Sequence, residues 1–204
     1  MLILGVVGGI GSGKSIVASC FRELGAEVLD ADKAGHFVLR EPEIIAALLA
    51  RWGEGILETN GQISRRAVAR IVFAPSADEE RRFLEQLTHP RIEARLEEEL
   101  RILRNASQRP PAVVLDAALL FEAGWNKLCD KIIFVDAPRD VRLERAIARG
   151  WSAEQFAARE AAQMPLVEKG SRSHILIRNV RTLESLREVV RLTWHDLLGT
   201  ESAP

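Results

Sequence analysis

The apolar run Leu2-Ile3-Leu4-Gly5-Val6-Val7 shows no alternation with polar residues. A strand with one wet face would alternate, so this pattern predicts a strand covered on both faces, as in a parallel sheet. A glycine-rich stretch follows. Val17, Cys20, Phe21 and Leu24 then recur at helical spacing, and Gly25 supplies a natural helix stop. Glu27-Val28-Leu29-Asp30 predicts a second, short strand.

From about Lys33 to Asn105 the pattern turns helical. Ile44, Ile45, Leu48 and Leu49 share one face, Ile92, Leu96, Leu100 and Leu103 repeat likewise, and Thr59-Asn60-Gly61 marks a turn. Beyond a polar loop, Ala112-Val113-Val114-Leu115-Asp116 and Lys131-Ile132-Ile133-Phe134-Val135-Asp136 read as central buried strands, each ending in a carboxylate. Ile175-Leu176-Ile177 is a fifth strand, and Leu183, Leu186, Val190, Trp194 and Leu197 form the stripe of a closing helix. Strands alternating with helices imply an α/β fold, a five-stranded parallel sheet flanked by helices, with ligands at the carboxyl ends of the strands. The expected division is a core of 1–32 and 111–204 interrupted by a helical insertion, 33–110.

Composition narrows the function classes. With 204 residues, 47% hydrophobic and 28% charged, the chain supports one sizeable core and is neither fibrous nor disordered. Its 28 basic and 29 acidic residues give no bulk electrostatic basis for a nucleic-acid or membrane partner, so any anion site must be local. Cys20 and Cys129 lack the spacing of a zinc or redox pair and read as reduced thiols. Met1–Val7 falls short of the ~20 apolar residues of a membrane span and carries no basic flank or cleavage pattern. A cytoplasmic location is expected.

The local anion site is Gly8-Gly9-Ile10-Gly11-Ser12-Gly13-Lys14-Ser15, which fits G-x-x-x-x-G-K-[ST] between a predicted strand and a predicted helix. Glycines let successive N–H groups aim at phosphate oxygens, and the helix start adds the favourable end of its dipole. Lys14 would reach the terminal phosphates, and the Ser15 hydroxyl would hold magnesium. A dinucleotide fingerprint starting at Gly9 or Gly11 would need Gly or Ala at Lys14 or Ile16. Asn126-Lys127-Leu128-Cys129 imitates a guanine-reading N-K-x-D, but its carboxylate is displaced to Asp130.

Carboxylates at strand ends supply candidate chemistry. If the chain stays extended through Asp30-Ala31-Asp32, the two carboxylates share a face about 6.6 Å apart. Such a pair could accept the proton of an attacking hydroxyl or hold magnesium, and either residue could instead cap the next helix. Asp116 ends a central strand at the same rim, where a magnesium role and plain strand termination both fit.

Taken together, the phosphate loop, Asp30-Ala31-Asp32, Gly61 with Arg65, Val72-Phe73, His89-Pro90, Leu119-Leu120-Phe121-Glu122 and Ala162-Gln163-Met164-Pro165 resemble the dephospho-coenzyme A kinase family over most of the chain. The resemblance implies a P-loop kinase that uses magnesium and ATP to phosphorylate the ribose 3'-hydroxyl of dephospho-coenzyme A. It implies Asp32 as general base beside the catalytic Lys14, and ATP contacts from residues Gly8 to Ser15, Ile16, Arg145, Arg149 and Asn179. It further implies acceptor contacts from Asp30, Asp32, Arg65, His89 and Asp116, magnesium on Ser15 with Asp30 or Asp116, and a monomer or weak homo-oligomer. His89 takes a substrate or structural role, because a lone His before Pro more often marks a helix entry.

A lid over about 139–165 is also implied. Arg142, Arg145 and Arg149 recur at helical spacing and could fold a cationic face over triphosphate, although such stripes are commonly just solvated. The chain departs from the family pattern at Ile16, Ala118, Ser173, His174 and Arg178, the last three at the expected adenine end. Two other readings are another P-loop kinase of a nucleotide or small molecule, and a non-catalytic nucleotide-binding protein.

Overall fold

The computed structural model describes residues 1–199, so residues 200–204 of the 111–204 segment lie outside the described residues. Its strands are β1 (Leu2–Gly8), β2 (Glu27–Asp30), β3 (Ala112–Asp116), β4 (Lys131–Asp136) and β5 (Ile175–Arg178). They form one sheet in the order β2-β3-β1-β4-β5, every pair parallel. The unbroken apolar runs fall where the sheet needs them, since every residue of β3 is buried and β1 is buried from Ile3 onward.

The helices are α1 (Lys14–Glu23), α2 (Ala31–Val38), α3 (Pro42–Trp52), α4 (Arg65–Val72), α5 (Asp78–Asn105), α6 (Arg139–Ile147), α7 (Ala153–Ala161), α8 (Leu166–Ser171) and α9 (Leu183–Leu198). On one sheet face α1 and α9 pack with Leu4, Val6, Val114, Ile133 and Val135 into a continuous core. Phe21 and Trp194 meet there, ring centroids 6.0 Å apart. Burying each such side chain contributes about 1.5–3 kcal/mol. Burial also pushes the Cys20 thiol up and holds Cys129 up at about 12, so both are protonated packing groups.

The chain separates into two compact units, one of residues 1–30 with 98 onward, the other Ala31–Glu97. Within the second unit Ile44, Leu48, Ile56, Val68 and Ile92 are buried. Two forked arginines tie it together, Arg51 to Glu79 and Glu80 at 2.7 Å each, and Arg91 to Glu41 at 2.6 Å and to Glu43. The Thr59-Asn60-Gly61 turn is present: Leu57 and Ile63 form an antiparallel bridge, and Asn60 Oδ1 accepts from the Gln62 N–H at 2.9 Å.

Two local expectations change. The chain does not stay extended after Asp30, because α2 begins at Ala31 and puts Asp32 in its first turn. The same-face spacing of an extended strand therefore does not describe the pair. His89-Pro90 is not a helix entry either, since it lies inside the 28-residue α5. Pro90 lacks the N–H that a regular helix would direct to the Gln86 carbonyl.

Candidate active site

Strand order locates the site before any side chain is considered. From β1 the chain crosses β3 to reach β2, and from β3 it crosses β1 to reach β4, so the loops leaving β1 and β3 diverge. A crevice opens at such a reversal, at the carboxyl ends of the strands. The glycine-rich loop leaves β1 there, and Asp116 closes β3 beside it.

Glycine is needed in this loop for steric reasons. Gly13 has φ 95°, and a Cβ there would lie 2.2 Å from Asn179 Nδ2; Gly8 has φ 154°, and its Cβ would lie 2.4 Å from the Val135 carbonyl oxygen. Neither backbone position suits an L side chain.

Consecutive carbonyls of the loop each accept a side-chain donor. Lys14 Nζ donates to Gly8 O at 3.2 Å and Gly9 O at 3.3 Å, and Arg142 Nη1 to Ile10 O at 3.4 Å. Arg145 Nη1 donates to Gly11 O at 3.1 Å and Ser12 O at 3.3 Å, and Asn179 Nδ2 to Ser12 O at 2.8 Å. Fixing the carbonyls fixes the peptide planes, and with them the direction of the N–H groups that a phosphate would use. Ser12 is wholly buried and its Oγ has no hydrogen-bond partner. A loop shaped by glycines, with an orphaned hydroxyl and a lysine at the start of a helix, fits a nucleotide's phosphates.

The carboxylates are arranged differently from the sequence expectation. Asp30 and Asp116 are register partners on adjacent strands, and Val6 of β1 is the register partner of Asp116. In-register side chains of neighbouring strands share a face about 4.8 Å apart, so Asp116 takes the place beside Asp30 that Asp32 was expected to fill. Asp32 is exposed on α2, Arg65 is exposed as the first residue of α4, and His89 is half-buried in α5. Ile16 is exposed, 42% of its surface open, in the first turn of α1 beside Ser15.

The arginine stripe splits into three fates. Arg142 is buried, Arg145 is half-buried against the loop, and Arg149 is exposed beyond the end of α6. Arg145 Nη2 also donates to Asn179 O at 3.3 Å.

Sequence reasoning missed a buried ion pair. Lys169 is fully enclosed, its Nζ 2.9 Å from Glu122 Oε1 and 2.7 Å from the Ala118 carbonyl, and Glu122 Oε1 also accepts from Met164 N–H at 2.8 Å. One contact set thus joins the loop after β3 to the 162–165 turn. Removing one partner of a buried pair typically costs about 3–5 kcal/mol. A Lys two turns before a strand reads as solvent-exposed in a sequence; only the coincidence of its neighbours with two motifs pointed to it.

The departures at the adenine end also find places. His174 Nδ1 accepts from the Ile132 N–H at 3.0 Å while the His174 backbone N–H donates to Ile132 O at 2.8 Å, so this residue pins the entry to β5 to the start of β4. Ser173 Oγ donates to the Lys169 carbonyl at 2.7 Å. Arg178 is exposed, in register with Asp136.

The dephospho-CoA kinase family model matches residues 2–185. The chain belongs to the dephospho-CoA kinase family. A dephospho-CoA kinase from Aquifex aeolicus is 41% identical over 95% of this chain and 96% of its own length. A solved Thermus thermophilus structure superposes with TM-score 0.77 at 36% identity, covering 96% of this chain and 97% of that one. The dephospho-CoA kinase of Campylobacter jejuni superposes with TM-score 0.70 at 26% identity, covering 97% of each. The fold is thus that of the P-loop kinases, and the protein is a transferase that phosphorylates dephospho-CoA at the expense of ATP in coenzyme A biosynthesis. The non-catalytic alternative falls with this assignment.

Proposed function

We propose that the phosphoryl group passes to the ribose 3'-hydroxyl of dephospho-CoA, with Lys14 holding the terminal phosphates and Asp32 accepting the hydroxyl proton. The loop between β1 and α1, with its carbonyls held by Lys14, Arg142, Arg145 and Asn179, carries this reading. When phosphate arrives, Lys14 exchanges two backbone carbonyls for anionic oxygens, a stronger charge-assisted contact. Arg145 and Arg149 draw charge from the transferred group, and Ile16 and Asn179 border the nucleotide.

Among the described residues no cluster of three or more His, Cys, Asp or Glu could by itself hold a metal ion. Magnesium is commonly bound by one or two protein oxygens, substrate phosphates and water. Ser15 with Asp30 or Asp116 would hold it, and it would supply positive charge to the phosphates. We assign acceptor binding to Asp30, Asp32, Arg65, His89 and Asp116, and read segment 33–110 as the substrate-binding insertion. Residues 139–165 act as a lid whose closure excludes water, since hydrolysis of ATP competes with transfer.

No helix among the described residues is long and apolar enough to cross a membrane. We place the enzyme in the cytoplasm as a monomer or weak homo-oligomer. Phosphorus NMR of the product made from magnesium-ATP and dephospho-CoA tests the regiochemistry. A new 3'-monophosphate resonance alongside ADP is expected, and phosphate at the 2'-position or on another acceptor would refute it.

A further inference from the structure

Arg142 does something that neither the cradle nor the ion-pair inventory explains alone. Its Nε donates to the Ala137 carbonyl at 3.1 Å just after β4, and its Nη1 lies 3.4 Å from Ile10 O in the phosphate loop and 2.7 Å from Glu160 Oε1 on α7. Arg139 holds the other oxygen of the same carboxylate, Nε to Oε2 at 2.8 Å. Both guanidiniums lie over the ring of Phe156, at 5.6 Å for Arg142 and 5.3 Å for Arg139, and Phe156 is itself wholly buried. The fit to the loop is close: a Cβ on Gly9 would lie 2.8 Å from Arg142 Nη1, and one on Gly11 would lie 2.5 Å from the Arg142 carbonyl oxygen. Burial pushes the Glu160 carboxyl up, but the two guanidiniums more than offset this and hold it below the ordinary carboxylate range.

We propose that Arg142 is a positioning residue for phosphoryl transfer, whose single guanidinium fixes the phosphate loop and α7 in one relation to each other. Its guanidinium is turned inward, committed to the Ala137 and Ile10 carbonyls and to Glu160. Its effect runs through the Ile10 carbonyl, and so through the peptide whose N–H belongs to Gly11. The proposal rests on the loop being the ATP cradle. A loop that samples other shapes binds ATP in proportion to the fraction of time it is competent. Loss of Arg142 should therefore appear in the apparent affinity for ATP rather than for the acceptor.

Steady-state kinetics of Arg142→Gln, Arg142→Lys, Glu160→Gln and the Arg142→Gln/Glu160→Gln pair, with rates corrected for folded fraction, tests this. Arg142→Gln should raise KM for ATP about tenfold while KM for dephospho-CoA stays within about twofold. Arg142→Lys should recover only part of the loss, because an ammonium cannot fork to three acceptors in a plane. Glu160→Gln should raise KM for ATP by about threefold, and the pair should be no worse than Arg142→Gln alone, since both act through one contact set. A fall in thermal stability with KM for ATP unchanged would mean that Arg142 is only structural and would overturn the proposal. Additive effects in the pair would overturn the link to α7. Should Arg142→Gln not fold, unchanged KM for ATP in Glu160→Gln decides against the proposal by itself. ATP affinity undiminished in a parallel Lys14→Ala sample would remove the cradle assignment beneath it, an outcome distinct from the others.

Discussion

Asp32→Asn is expected to lower kcat by ~10²–10⁴-fold, the usual contribution of a positioned general base, while ATP affinity stays within about twofold. Asparagine keeps the shape of the side chain and removes its ability to take the proton of the attacking hydroxyl. Asp32 is exposed in the first turn of α2, and asparagine is close to it in size. The variant should therefore fold normally. Titration of ATP separates the roles: affinity that collapses along with turnover would make Asp32 a ligand of nucleotide or magnesium, and the proton would have to go elsewhere. Asp116, in register with Asp30 at the crevice, would then be the first residue to examine as base.

Lys14→Ala is expected to cost both steps. Hydrogen bonds to charged groups contribute about 1.5–3 kcal/mol each, so losing the ammonium should weaken ATP binding by about 10- to 100-fold. Charge that develops on the transferred group is also left uncompensated, which by analogy with other removed electrostatic donors lowers kcat by ~10²–10³. The resting structure adds a second reason. Lys14 now ties Gly8 O and Gly9 O, so alanine also loosens the loop at its entrance. Undiminished turnover in this variant would refute the assignment of the loop. A loss confined to ATP binding, with kcat intact at saturation, would restrict Lys14 to ground-state binding.

The sheet was readable because the middle of a parallel strand buried on both faces has to be apolar, and β1, β3 and β4 obey that rule between their ends. The phosphate loop was readable because steric demands at Gly8 and Gly13 leave one residue type. Conformation between elements was harder. Nothing in Asp30-Ala31-Asp32 announces that the helix starts at Ala31, so the extended geometry assumed for the pair does not hold. Likewise His89-Pro90 looked like an entry because proline inside a helix is costly, yet the length of α5 carries the helix through it.

Charged residues taken inside were the least legible of all. Lys169 and Arg142 have the sequence signature of surface positions, and their burial depends on Glu122 and Glu160, 47 and 18 residues away along the chain. Helical spacing put Arg142, Arg145 and Arg149 in one stripe, but it could not say that the stripe would divide between a buried contact, the loop and solvent. His174 is instructive in the same way. A departure from the family pattern put base contacts in doubt; in the structure the His174 ring accepts a hydrogen bond from the Ile132 N–H.

The most direct test of the account is the stoichiometry of ADP and coenzyme A formed by the intact protein from magnesium-ATP, with and without dephospho-CoA. One ADP for each coenzyme A, and almost no ADP when the acceptor is left out, is the predicted result. ADP formed at a similar rate without acceptor, or in large excess over coenzyme A, would contradict it, because the loop would then serve hydrolysis and not transfer.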